Sequence, residues 1–212
     1  TVALKKNGNL IRGTKHNPNI FDNSQIPASG GRVEEVAPDG TIVWEYIYVN
    51  NDHLSHHDLT LIGDNVLLTA YEKKSISELS AAGHVNGNSE RWPTHFIELA
   101  PDGNGSANIV WEWHLWDHMC QDIDPSKPNY VVDISEHPEL IDINISAGND
   151  EDWFHVNGVD YNEDLDQIVF SSRHTSEIYI IDHSTTTAEA ATHSGGNSDM
   201  GGDILYRWGN PS

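Results

Sequence analysis

The 212-residue chain carries 33 acidic against 11 basic side chains, a formal net charge of −22, so electrostatics argue against nucleic acid or an anionic membrane as partner. Cys120 is its one cysteine, which rules out an intrachain disulfide and the stapled framework of a small secreted domain. The length suffices for one sizeable domain with its own core, and no run approaches the roughly 20 apolar residues of a membrane span.

The first residues, Thr-Val-Ala-Leu-Lys-Lys, hold neither Met nor the apolar stretch of a signal peptide. A trimmed product is expected, with any export signal already removed. The acids are spread along the chain, as in a strongly hydrated surface suited to salty or extracellular water. The expected location is the periplasm or the outside of the cell.

In chain order, residues 35–46 read Glu-Val-Ala-Pro-Asp-Gly-Thr-Ile-Val-Trp-Glu-Tyr, an apolar strand, a Pro-Asp-Gly turn and a second strand of alternating aromatic and β-branched residues. A further hairpin follows over 58–70 around Gly63-Asp64-Asn65, and then a polar insertion over 75–91. The first unit returns at 98–113 as Glu-Leu-Ala-Pro-Asp-Gly, five residues, and Ile-Val-Trp-Glu-Trp. After an insertion over 122–149, a second inner hairpin spans 158–172 around Asn162-Glu163-Asp164. A weaker third copy of the repeat begins at Ile180-Ile181-Asp182, is interrupted over 185–201, and closes with residues 202–208. Ile42, Ile109 and Ile204 then correspond, as do Trp44, Trp111 and Tyr206, and Tyr46, Trp113 and Trp208.

Helical periodicity is almost absent, so the fold is expected to be all-β. Four short strands per unit match a β-propeller blade with large loops, in approximate units 33–72, 95–173 and 176–212 of a single incomplete domain. About three blades cannot close a ring. The remaining blades are therefore expected from the same chain or another one, a homo-oligomer included.

Equivalent blade positions surround one central channel. Aligning the inner hairpins pairs His57 with His155 and Glu72 with Arg173, and the loop Trp111 to His118 offers His118 as a further contributor. His155, Asn157 and Arg173 together present an imidazole, an amide and a fixed cation, groups suited to a tetrahedral oxyanion such as a sulfate ester. Trp116, Trp153 and Phe154 are candidates to stack on an aryl ring.

Several blocks resemble the bacterial arylsulfotransferase (aryl-sulfate sulfotransferase) propellers. They are His-His-Asp at 56–58, Val-Trp-Glu-Trp and Trp-Asp-His within 110–118, Asp-Trp-Phe-His-Val-Asn at 152–157, Ser-Ser-Arg-His-Thr-Ser-Glu-Ile at 171–178, and Tyr-Arg-Trp-Gly-Asn-Pro at 206–211. The resemblance implies a six-bladed propeller that needs no cofactor and no nucleotide sulfate. It passes a sulfuryl group from an aryl sulfate to a phenol through a histidine intermediate. It matches His155, Asn157 and Arg173 to the family's sulfuryl site and His57 to another histidine lining that site. With the loop and the His56-His57 pair added, His57, His155 and Arg173 are expected to be catalytic, and Asn157, His56 and His118 to bind substrate. The family's nucleophilic histidine follows the Trp-Gly-Asn-Pro segment, so it is expected outside these 212 residues.

Each residue also has a plainer reading. Arg173 could pair with Glu72, Asn157 followed by Gly is an ordinary turn signal, and Asp117 could hold His118 structurally. Trp44 and Trp111 are expected to be core. His53, His56, His57 and Asp58 form a dense patch, but the spacing matches no metal motif well, so no metal is assigned. Two other functions compete with the transferase: a catalytically silent propeller used for binding or assembly, and a metal-assisted ester hydrolase.

Overall fold

In a computed structural model, residues 1–17, 20–21, 30–85, 87–146 and 151–209 are described. Asn149, Asn210 and Pro211, which belong to segments named above, lie outside the described residues.

Three four-stranded antiparallel meanders follow one another along the chain. The first contains β1 (Val2–Leu4), β2 (Leu10–Lys15), β3 (Gly31–Val36) and β4 (Ile42–Ile47). The second contains β5 (His53–Ile62), β6 (Asn65–Glu72), β7 (Thr94–Pro101) and β8 (Ala107–His114). A short parallel pair, β9 (Met119–Cys120) and β10 (Ile141–Asp142), precedes the third. That sheet contains β11 (Val156–Asn162), β12 (Gln167–Ser172), β13 (Glu177–Asp182) and β14 (Ile204–Gly209). Each sheet is a propeller-type blade, and the all-β expectation holds.

The unit boundaries need correction. Residues 33–72 take β3 and β4 from the first sheet and β5 and β6 from the second, and 95–173 likewise straddles two sheets. The physical reason is that the Pro-Asp-Gly repeat marks the outer hairpin of a blade, strands three and four, rather than its start.

That outer hairpin repeats down to its irregularity. Ladder pairing slips between Glu35 and Val36 in the first sheet, Glu98 and Leu99 in the second, and Ile180 and Ile181 in the third. In each sheet the slip sets Trp44, Trp111 or Tyr206 one rung before it and Ile42, Ile109 or Ile204 one rung after, the correspondence expected from sequence.

Strand alternation sends the second sheet's side chains into two cores. Val66, Leu68, Ile97 and Leu99 pack with Ile11, Val33 and Trp44 of the first sheet. Leu67, Phe96, Trp111 and Trp113 pack with Val159, Ile168, Phe170 and Ile181 of the third. The middle blade is thus covered on both faces, and Trp44 and Trp111 are core as expected, 3% and 4% exposed. The outer sheets keep apolar surface: Val2, Leu4, Leu10 and Ile47 on the first, and Tyr206 and Trp208 on the third, are exposed.

The insertions contain short helices that polar composition concealed. α1 (Ile76–Ala81) and α2 (Thr187–Ala190) each begin with a capping box, Ser75 with Glu78 and Thr186 with Glu189. Among the described residues, no helix is long and apolar enough to cross a membrane.

Candidate active site

The first strands of the second and third sheets lie side by side. Asp58 Oδ2 accepts from the Val159 amide at 3.1 Å, and Thr60 Oγ1 donates to Asp160 Oδ1 at 3.1 Å. At one end of this seam a pocket of about 480 Å³ opens between all three sheets. Its walls include Arg32 and Val33 from β3, His56, His57, Asp58 and Leu59 from β5, Leu68 and Thr69 from β6, and His155 and Arg173 flanking β11 and β12.

A bulge delivers the first two histidines. Ser55 pairs with Ala70 and Leu59 with Leu68, so β5 holds two more residues than its partner across this stretch. Thr69 fills the gap: its hydroxyl donates to the His56 carbonyl, and it accepts from the Asp58 amide at 3.2 Å. His57 adopts φ +44°, a left-handed conformation that costs a β-carbon-bearing residue about 1–3 kcal/mol and that histidine tolerates better than most.

His155 arrives by a different route. Phe154 and His155 are both left-handed, φ +69° and +49°, just before β11. Their carbonyls accept from the backbone amides of His174 and Arg173, each at 3.2 Å, and the Phe154 carbonyl also accepts from Ser172 Oγ at 2.7 Å. These bonds hold the residues in the disfavoured conformation and set His155 beside Arg173.

The imidazoles converge. The His57 and His155 rings lie 4.5 Å apart, and His57 Nδ1 shares a 2.8 Å hydrogen bond with His56 Nδ1. His56 is buried behind it, stacked on Tyr71 at 3.6 Å. Burial first, then the neighbouring His57 and His155, pushes the His56 pKa well below its ordinary value. His57 shifts down for the same two reasons, burial and His155, so both rings are neutral near pH 7. His155 Nδ1 hydrogen-bonds Asp152 Oδ2, and Asp152 Oδ1 accepts from the Tyr71 hydroxyl at 2.9 Å. With Nδ1 held by a carboxylate, Nε2 is the nitrogen left for chemistry. The exposed Arg173 guanidinium has no ion pair or hydrogen bond among the described residues. Glu72 instead engages Lys74 and His114, which removes the plain reading of Arg173 as its partner.

The repeat comparison that paired His57 with His155 and Glu72 with Arg173 is off register. Val66 and Ile168 occupy equivalent rungs, opposite Leu99 and Ile181, which makes Tyr71 the counterpart of Arg173 and Glu72 that of His174. His57 sits within a bulge, whereas His155 precedes its strand. They meet because of those two irregularities.

Asn157 also occupies a bulge, between Val156 and Gly158, but is exposed, with Oδ1 accepting from Ser171 Oγ at 2.9 Å. It lines a second cleft with Ile178 and Trp208 rather than the pocket, and Arg173 borders both.

His118 is a correction. It is 0% exposed, with Nδ1 2.7 Å from Asp203 and Nε2 2.9 Å from the Ala190 carbonyl, and its ring is stacked parallel to Trp113 at 5.4 Å. The 3-10 turn Leu115–His118 follows β8, the outermost strand of its sheet, so it does not lead to the axis. Trp153 and Phe154 are likewise buried in the core and Trp116 packs against it, leaving Val33, Leu59 and Leu68 as the apolar pocket walls.

Sequence reasoning missed Asp152, Tyr71, Thr69 and Arg32. Asp152, three residues before His155 in the Asp-Trp-Phe-His block, was findable from spacing; the others depend on pairing across strands.

The family model described as Arylsulfotransferase (ASST) matches residues 3–189. Among solved structures, hydrazine synthase of Kuenenia stuttgartiensis is similar at 12% identity and TM-score 0.48, over 99% of this chain and 49% of that one, so this chain spans about half its length. No curated protein matches.

Proposed function

Since this chain belongs to the arylsulfotransferase family, whose model covers residues 3–189, we propose that its pocket binds an aryl sulfate and takes part in moving the sulfuryl group to a phenol. The observation that carries this reading is the meeting in one pocket of about 480 Å³ of His57, His155 and Arg173, whose guanidinium is unpaired among the described residues, with Asp152 engaging His155 Nδ1.

Arg173 offers its guanidinium to the sulfuryl oxygens, where charge spreads as the S–O bond to the phenol breaks. His155, oriented by Asp152, gives a proton from Nε2 to the departing phenolate oxygen. A histidine from outside these 212 residues supplies the nitrogen that bonds to sulfur. In the second half the acceptor phenol attacks that sulfur, the N–S bond breaks, and neutral His57 or His155 takes the phenol proton. Val33, Leu59 and Leu68 shelter the aryl ring. Asn157 acts from the adjoining cleft through Ser171 rather than on the sulfuryl group.

The three blades form part of one propeller, six-bladed as in the family, with further blades from the same or another chain covering the apolar outer faces at Leu4, Leu10, Ile47 and Trp208. The periplasm or extracellular space is the matching location.

The test mixes the complete polypeptide with a chromogenic aryl sulfate and a phenol acceptor. Phenol release that depends on acceptor and is lost in Arg173→Ala supports transfer. No turnover from a folded protein favours a binding module, and turnover abolished by a chelator favours metal-assisted hydrolysis.

A further inference from the structure

The same end of the second sheet holds another polar cluster, distinct from the pocket. Glu72 ends β6, His95 lies at the start of β7 and His114 ends β8; one ligand atom from each lies within 4.8 Å of the others. Pairing of His95 with His114 on adjacent strands explains the meeting, and their rings stack parallel 4.9 Å apart. His95 is 0% exposed: Nε2 meets the Tyr48 hydroxyl at 2.8 Å, and Nδ1 has no hydrogen-bond partner among the described residues. A fully buried ring nitrogen without a partner is costly, and here its ring lies beside a carboxylate and a second imidazole.

We propose that Glu72, His95 and His114 form a divalent transition-metal site, with His95 Nδ1, a His114 nitrogen and a Glu72 oxygen as ligands. The donor set of two imidazoles and one carboxylate suits zinc, and leaves a coordination position for water. The outer partners also fit. Metal-bound histidines commonly give their second N–H to an oxygen. His95 Nε2 has the Tyr48 hydroxyl, and His114, with Nδ1 2.8 Å from Glu72, has Nε2 3.6 Å from Glu112 Oε2. With zinc–ligand distances of about 2.0–2.2 Å, the donor atoms would readjust around the ion, His114 and Glu72 opening from their 2.8 Å contact. Lys74 Nζ, 2.9 Å from Glu72 Oε1, would swing aside. The patch read from sequence, to which no metal is assigned, comprises His53, His56, His57 and Asp58. The structure instead puts His53 against His95, ring centroids 5.2 Å apart, and gives His56 and His57 to the pocket. Such an ion would brace the end of β6, where Tyr71 supports Asp152.

The inference does not depend on sulfuryl transfer, and its test reads metal binding alone. Protein stripped with a chelator is titrated with Zn²⁺ by calorimetry and with Co²⁺ by visible absorption. One equivalent is expected to bind, with affinity at least about tenfold weaker in His95→Ala and Glu72→Gln and unchanged in Arg173→Ala. Because His95 is buried, the partly exposed His114→Asn is the second variant. It should fold, and Zn²⁺ should raise the melting temperature of the parent but not of this variant. The proposal is overturned if no Zn²⁺ binds, if affinity changes less than twofold in all three cluster variants, or if binding is lost instead in His193→Ala or His174→Ala, which belong to the two further histidine–carboxylate groups, with His118 and Asp203 and with Asp152 and His155.

Discussion

His155 with Asp152 and His118 with Asp203 are both buried imidazole–carboxylate pairs, yet only one faces a pocket. Both nitrogens of His118 are spent, on Asp203 at 2.7 Å and on the Ala190 carbonyl at 2.9 Å. His155 spends Nδ1 on Asp152 and lines the cavity beside Arg173. A histidine next to a carboxylate is therefore no sign of chemistry by itself. What separates the two is the backbone: His155 is held left-handed at the seam between sheets, while His118 closes a turn on an outer strand.

The largest expected break in this comparison is His155→Ala, which should lower kcat/KM for aryl sulfate by about a thousandfold, within the range of a lost general acid. His118→Gln should leave kcat/KM of the folded protein unchanged but lower stability by about 1–3 kcal/mol in urea unfolding, since it disturbs buried hydrogen bonds. Asp152→Asn should cost about a hundredfold in kcat, because His155 loses the carboxylate that orients it. A purely structural Asp152 would change stability without lowering kcat of the folded protein.

A smaller effect sharpens the contrast with a third pair. His183 Nε2 and Nδ1 lie 2.9 Å from Glu98 and 2.7 Å from Asp166, linking the second and third sheets. Burial pulls the His183 pKa down, but those hydrogen bonds overcome it and raise the value above 6.5. Burial likewise pushes Glu98 up, and the bonds from His183 and Asn65 bring it below 4.5. The His183 contribution is thus complete below pH 6.5 and lost as pH rises through its raised value; the Glu98 contribution is complete above pH 4.5 and lost as pH falls through its lowered one. His183→Gln should remove about 1–2 kcal/mol near pH 5.5 and less at pH 9, read from urea unfolding at each pH. Asn157→Ala should have the smallest effect, less than about tenfold on kcat/KM, because its amide bonds Ser171 outside the pocket.

The fold was readable because repetition and alternation are local. The Pro-Asp-Gly turns and the Trp44, Trp111, Tyr206 series announced the outer hairpins, down to a bulge that recurs at the same rung. Blade boundaries were not readable, since a repeat has no intrinsic starting point and these copies happen to be strands three and four. His155, His57 and Arg173 were legible as motifs, but their meeting was not. It depends on the two extra residues opposite Thr69 and on consecutive left-handed residues at Phe154 and His155, which shift side chains off the register that a sequence alignment assumes. Asn157 shows the opposite failure: its neighbourhood in sequence suggested the pocket, and a single bulge turned it to the adjoining cleft.

The most direct measurement is acceptor-dependent phenol release from a chromogenic aryl sulfate, comparing the complete polypeptide with Arg173→Ala and Arg173→Lys. Loss of about a hundredfold or more in the alanine variant, with partial recovery in the lysine variant, is the predicted result. Equal turnover in all three folded proteins would contradict a sulfuryl site at Arg173.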